Sequence, residues 1–310
     1  MPPLPRLALS VIGDEIGPSL DEMISFAHEH GLKRLDMRTV EGRNLLGMKK
    51  EEVIAISRKL EKAGLTVPAF VSPMFKWQAP GKSTAGGKVD FAFDPKSCPA
   101  ENIADHAMEV AVILGAPHMR IFSYLRYPGF QPKDLGRLSK DVGKLHSLAH
   151  HFDITLQIEN ESVCNIGSIA ELANFFATVP WLPMGGDEEI EEIEAEDIRE
   201  PPQRYVRPLV DIANAWSLGE PPKDSEIATL APLTTAIHLK DRNLEARRTV
   251  PLGDGDVPWP AELERLLSGV RAPEVLASIE THCPQNGREA TARSIDGLRR
   301  IAKEVGIEIV

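Results

Sequence analysis

Glu159 in QIEN, Asp211 in LVDIAN, His238 in AIHLKD and Glu280 in SIETH are residue types that bind divalent cations. Each stands toward the C-terminal end of a short apolar run. Three carboxylates and one imidazole make a hard, oxygen-rich set. It suits Mn²⁺ or Mg²⁺ and tolerates Co²⁺ or Zn²⁺, with no soft ligand to select against the first two. Taken singly, each residue has an ordinary explanation. Glu159 could cap a following turn, Asp211 could open an Asx-turn, His238 could be a hydrogen-bonded core histidine, and Glu280 could pair with an arginine. Taken jointly they call for a cation, because burying three carboxylates together without one is prohibitive.

What must position these four is a set of strands. Short apolar runs at 7–13, 34–40, 66–72, 118–125, 154–160, 207–214, 234–241 and 274–282 alternate with helical patterns. The helical patterns fall at Ser19–His30, Lys49–Ala63, Glu101–Leu114, Leu135–His151, Ser168–Ala177, Ala261–Leu267 and Gly287–Val305. Strands separated by helices pair in parallel through crossover connections. Eight of them in 310 residues most economically close into a (β/α)₈ TIM barrel, expected here as one domain over residues 1–310. An open doubly wound sheet would usually carry GxGxxG after its first strand; this chain has GDEIGPSL there. In a barrel the C-terminal strand ends converge on one mouth, so the four residues meet whatever their separation in sequence.

Two segments break the rhythm. A Gly-rich excursion at about 75–95 follows the third strand and reads either as a lid over the mouth or as a surface loop. An acidic insertion at about 185–202, GGDEEIEEIEAEDIREPP, reads as a solvated helix on the opposite face and receives no chemistry.

The net charge of −11 and a pI of about 5.4 argue against nucleic acid and anionic membranes as partners. No run approaches the roughly 18 apolar residues of a membrane span. The N-terminal MPPLPRLALSVIG has no basic leader, so a cytoplasmic protein is expected. Cys98, Cys164 and Cys283 form no CxxC pair and are expected to be inert thiols.

Polar residues around the mouth are candidates for binding a substrate. Lys240 and His282 share the strand parity of His238 and Glu280. Arg38, Lys76 and Arg120 lie at or just after early strands; Arg242 follows the seventh strand with Arg247 and Arg248. Asn160 and Asn214 could orient the metal carboxylates, with Asn214 also a candidate substrate contact. Trp77 and Trp259 could form an apolar wall or belong to the core. GDGDVPW (253–259) lacks the Lys-Ser/Thr of a phosphate loop, and its aspartates would repel phosphate, so a structural turn is expected.

The stretches QIENES, LVDIANA, IHLKDR, GDGDVPW and SIETH, with SVIGDEIG, LDMRTVEGRNL and MRIFSYLR before them, resemble the xylose isomerase-like TIM barrels. The likeness is to the sugar phosphate isomerase/epimerase group in particular. It implies that Glu159, Asp211, His238 and Glu280 bind one divalent cation, and that Glu159 and Glu280 also form the catalytic acid/base pair. It implies a metal-dependent isomerase or epimerase of a small sugar, sugar phosphate or related hydroxy-carbonyl compound, working by proton transfer through a metal-stabilised enediolate. A dehydratase of an inosose-like substrate shares the scaffold and the first proton abstraction, and a non-catalytic binding barrel is the third reading. The partner expected is a small polyol-type molecule; barrels of this kind often pair, so a homo-oligomer is compatible. One departure stands out: many ketose epimerases of the group carry His three residues after the metal Asp, where this chain has Asn214.

Overall fold

The computed structural model describes residues 3–84, 93–131, 134–178 and 205–310. The acidic insertion at 185–202 and the central part of the 75–95 excursion lie outside the described residues.

The chain opens with β1 (Arg6–Val11), followed by α1 (Leu20–Glu29), whose first turn is closed by a reciprocal capping box between Ser19 and Glu22. A short hairpin, β2 (Thr39–Val40) and β3 (Arg43–Asn44), precedes α2 (Lys50–Lys62). Then come β4 (Ala69–Phe70), α3 (Ile103–Leu114), β5 (His118–Ile121), α4 (Leu135–His151), β6 (Thr155–Glu159) and α5 (Ile169–Thr178). Beyond the undescribed stretch lie β7 (Val206–Asp211), α6 (Ile212–Ser217), α7 (Asp224–Leu230) and β8 (Ala236–Leu239). A second hairpin, β9 (Asp241–Asn243) and β10 (Arg248–Val250), leads to α8 (Trp259–Leu267), β11 (Glu274–Ile279) and α9 (Gly287–Val305).

Seven strands form one parallel sheet in the order β1-β11-β8-β7-β6-β5-β4. The gap between β4 and β1 is bridged by residues 34–37. Asp36 N–H donates to Val11 O at 2.9 Å, Met37 N–H donates to Ala69 O at 3.1 Å, and Leu35 N–H donates to Thr66 O at 3.0 Å. These residues make only isolated parallel bridges, to Ile12 on one side and to Thr66 and Phe70 on the other, but they bridge both edges. The result is the expected TIM barrel, with this segment in the place of its second strand.

Several elements differ from the sequence reading. The second and third strands shrink to bridges and a two-residue ladder, because local pleating there gives way to turns lining the mouth. The seven-residue helix α7 was not read from sequence; at its start the Glu226 carboxylate accepts Lys223 N–H at 2.9 Å. The strand expected over 207–214 stops at Asp211, whose carboxylate accepts Asn214 N–H at 2.8 Å and so caps α6.

Beneath the mouth, Ala69, Leu209, Ala236 and Leu276 pack as one buried apolar layer, one residue from each of four strands. Side chains alternate faces along a strand. Two residues further on, the same interior face therefore presents Asp211, His238 and Ser278, and four further on from Leu276 it presents Glu280.

Candidate metal and substrate site

Ladder register fixes the meeting of the four residues. Asp211 stands directly opposite His238 across β7 and β8, and Glu280 N–H donates to Leu239 O at 3.0 Å just past β11. Glu159 ends β6, the next strand along. Each of Glu159, Asp211, His238 and Glu280 is buried, and each offers one ligand atom such that all four atoms lie within 4.8 Å of one another. His238 Nδ1 lies 3.1 Å from Glu159 Oε1 and 3.4 Å from Glu280 Oε2.

The carboxylates are compensated by the chain's own cations. Arg120 Nη1 lies 3.2 Å from Glu159 Oε2 and 3.7 Å from Glu280 Oε1. Lys240 Nζ lies 2.7 Å from Asp211 Oδ2 and 2.9 Å from Glu280 Oε2. Arg38 donates to Glu280 Oε1 at 3.2 Å and to Glu15 Oε1 at 2.6 Å, and its Nε reaches Asp14 at 3.0 Å. His282 Nε2 is 3.2 Å from Glu280 Oε1. Lys76, from the start of the 75–95 excursion, is buried with Nζ 3.2 Å from Glu161.

These contacts set the ionisation. Burial opposes charge on Glu159, but His238 and Arg120 outweigh it and draw it down to about 2. Glu280 is likewise held well below the usual carboxylate range against burial, by Lys240, His282 and His238. Burial disfavours the charged His238 ring, yet Glu159 and Glu280 push it up to about 10. Asp211 moves the other way: burial raises it above the ordinary carboxylate value, against the attraction of Lys240 and with repulsion from Glu159 and Glu280 added. Four ligand-type atoms within 4.8 Å of one another, three of them from carboxylates, fit a site built for a divalent cation.

The surrounding structure holds the cluster in place. Asn160 Nδ2 donates to Asp211 O and its Oδ1 accepts Asp211 N–H, both at 2.9 Å. Asn214 Nδ2 donates to Asn160 O at 2.8 Å. Asn214 therefore serves the backbone between the two carboxylate strands. Asp241, just after β8, accepts N–H bonds from Arg242, Gly253, Gly255 and Val257 at 2.8–3.2 Å. A Cβ at 255 would collide with that carboxylate, so GDGDV is the structural turn expected. Trp259 Nε1 donates to Lys240 O at 3.1 Å, placing this tryptophan in the core and behind Lys240. Trp77 packs against Phe75 and Phe93.

A cavity of about 620 Å³ opens beside the cluster, lined by Glu15, Arg38, Lys76, Glu161 and His282 among others. Four of the seven sequence-read substrate candidates, Arg38, Lys240, His282 and Arg120, thus touch the cluster, and Lys76 lines the cavity. Asn214 turns to the Asn160 backbone, and Arg242 sits on the β9–β10 hairpin, away from the cavity lining. Glu15, Asp14 and Glu161 were missed as participants. Glu15 also accepts Thr281 Oγ1–H at 2.9 Å and His282 N–H at 2.7 Å, holding His282 at φ 49°. The signal was present in GDEIG, where two carboxylates follow the end of β1.

A closed parallel barrel with a buried carboxylate–histidine cluster at the C-terminal strand ends defines a TIM barrel able to hold a divalent cation at its mouth. The chain belongs to the xylose isomerase-like TIM barrel family, whose model matches residues 24–301. No curated protein matches its sequence. Among solved structures, it is similar to the IolI protein with a bound zinc atom, at 13% identity and TM-score 0.67, covering 96% of this chain and 98% of that one. It is similar to the 3-keto-D-glucoside 4-epimerase YcjR of E. coli, at 12% identity and TM-score 0.60, covering 94% and 99%. It is also similar to the probable 3-DHS dehydratase AsbF of Bacillus anthracis, at 13% identity and TM-score 0.62, covering 94% and 98%. At these identities the likeness is one of fold. Among the described residues no helix is long and apolar enough to cross a membrane.

Proposed function

We propose that the protein is a divalent-metal-dependent isomerase or epimerase of a small polyol-type hydroxy-carbonyl compound. The observation that carries this reading is the cluster of Glu159, Asp211, His238 and Glu280, buried and within reach of one ion. When bound, a cation there supplies Lewis acidity that favours an enediolate over the starting carbonyl compound. Arg38 already bridges Glu15 and Glu280, the place where a second cation would otherwise go, which supports one ion per chain. Mn²⁺ or Mg²⁺ suits the oxygen-rich set best, with Co²⁺ or Zn²⁺ as substitutes.

Glu159 and Glu280 are the acid/base pair in this reading. Both are held ionised at neutral pH, so either carboxylate can accept a proton from the carbon beside the carbonyl. They approach from different strands, β6 and the end of β11, so one can take the proton and the other return it on a second face. Lys240 and His282 flank Glu280 and can hold substrate oxygens or pass a proton to it.

A dehydratase is the second reading. His282 lines the cavity and lies 3.2 Å from Glu280, where its ring could protonate a departing β-hydroxyl after the same first proton transfer. The test is solvent deuterium incorporation with a panel of ketoses and inososes, using metal-loaded protein. Exchange into recovered substrate or an epimer supports the leading reading, and a product lighter than the substrate by one water supports the second. No exchange by protein that holds its metal would leave only a binding barrel.

A further inference from the structure

We infer that Asp36 is a positioning residue for the metal site: buried in the barrel interior beside the cluster, its carboxylate holds the His238 ring ready for a divalent cation. This deepens the proposed function and rests on its reading of Glu159, Asp211, His238 and Glu280 as the metal site.

The barrel wall brings four polar side chains into one belt. Ser278 stands opposite His238 across β11 and β8, and Ser10 stands opposite Ser278 across β1 and β11. Partners in a parallel ladder turn their side chains to the same face, so all three face the interior. The next piece of wall is the 34–37 segment, where Asp36 N–H donates to Val11 O at 2.9 Å and Ile12 pairs with Asp36. Ile12 shares the strand parity of Ser10, so Asp36 faces inward as well. Asp36 has no exposed surface, and Ser278, Ser10 and His238 are side chains that act on its carboxyl from nearby. One step below, the interior is closed by the apolar layer of Ala69, Leu209, Ala236 and Leu276. Packing alone would be served by an apolar residue at 36.

Neither Asp36 oxygen has a hydrogen-bond partner among the described residues, and Ser10 Oγ has none either. A buried carboxylate left in that state costs stability. The Ser10 and Ser278 hydroxyls draw it down from nearby without closing a hydrogen bond of good geometry. Of the groups that act on it most strongly, His238 is the one that can carry charge. His238 turns Nδ1 to Glu159 and Glu280, at 3.1 and 3.4 Å, and so offers that nitrogen to the cluster. An imidazole that binds a metal through one nitrogen is normally held by its other N–H, donated to a carboxylate, a carbonyl or a water, and that contact fixes the ring's orientation. Ser278 lies between His238 and Asp36 along the wall, and a serine hydroxyl can accept from the ring and donate to the carboxylate at once. The carboxylate that weakens the fold thus serves the cation.

Calorimetric titration of the metal-free protein with Mn²⁺ tests this, with denaturant titration of the same samples alongside. Asp36→Asn is expected to bind Mn²⁺ about 10–100-fold more weakly, the scale of a lost support behind a ligating histidine. The metal-free Asp36→Asn protein is expected to be at least as stable as the unaltered one. Asp36→Ser is expected to show the same loss of affinity, so the result does not hang on one variant. In the Co²⁺-loaded protein the visible ligand-field bands are expected to shift in both variants. Unchanged Mn²⁺ affinity overturns the inference. So does weaker affinity with unchanged Co²⁺ bands, or weaker affinity matched by a loss of stability in metal-free Asp36→Asn. An unaltered protein that takes up no Mn²⁺ sinks the metal reading and this inference with it. Mn²⁺ affinities in the expected order, without deuterium exchange on any ketose or inosose, sink the isomerase reading alone.

Discussion

The two halves of the barrel mouth are built differently. From β6 to β11 the residues that could hold a metal sit on or just past regular ladders, where Asp211 opposes His238 in register. Between β1 and β4 the mouth is lined by residues on turns and isolated bridges: Glu15 in a 3₁₀ turn, Arg38 beyond the 34–37 bridges, Lys76 after the two-residue β4. The ladder half supplies the four cluster residues together with Arg120 on the β5–β6 ladder, and the bridged half supplies Arg38 to meet Glu280. Ladders fix ligand atoms in place, while turns let long cationic side chains reach across the mouth. The residues that could hold a metal thus belong to one half, and most of the cavity lining to the other.

The largest effect is expected from altering the ladder half. Glu280→Gln should lower turnover by about 10²–10⁴-fold, the scale of a lost acid/base group, and His238→Ala should lose the bound metal, read by elemental analysis. A His238→Ala protein that keeps one ion per chain would break the division. Next comes Arg38→Ala in the bridged half, which leaves Glu15 and Glu280 buried without their shared partner. It should cost about 3–5 kcal/mol of stability in denaturant titration of the metal-free protein. Metal should restore part of that stability, because it compensates Glu280 but not Glu15.

A smaller effect is expected at Asp36, in the bridging segment. Burial pushes this carboxyl up to about 6, from 3.8. A raised carboxyl binds its proton more tightly when folded, so its ionisation lowers stability as pH rises from about 4 through 6, with the full penalty present above 6. Asp36→Asn should therefore be more stable than the unaltered chain by roughly 1–3 kcal/mol at pH 8, and the advantage should fade at pH 4. The smallest effect is expected outside both halves. Glu52→Gln on α2 removes the charge from an exposed pair with Arg43, and should cost under about 1 kcal/mol with no change in metal content.

The same division explains what could be read from sequence. Strands of the ladder half carry their interior residues at a spacing of two, so Asp211 and His238 can be placed from the apolar layer below them. Helices α4 and α9 were likewise legible to the residue, from apolar periodicity. In the bridged half, the strand expected over 34–40 has little ladder, and its role is set by contacts that no local pattern announces. Arg38 finds Glu280 across 242 residues of chain, and Thr281 finds Glu15 across 266. Glu15 and Glu161 look like ordinary surface carboxylates in sequence because their partners are distant in it. Asp211 shows the opposite difficulty: one residue is at once the last of a strand, the cap of α6 and a member of the cluster, so the apolar run through Ile212 and Ala213 reads as continued strand.

Asp241 has a consequence for anyone who would transplant this chemistry. Its carboxylate gathers the backbone of 253–257 around the exit of β8, and Gly255 can approach only because it has no side chain. The segment AIHLKD is therefore not a portable cassette. Grafted alone into another barrel, it would bring His238 and Lys240 with their anchor untethered. An engineered recipient would have to import the glycine turn as well, and the workable unit of exchange runs from β8 through Val257.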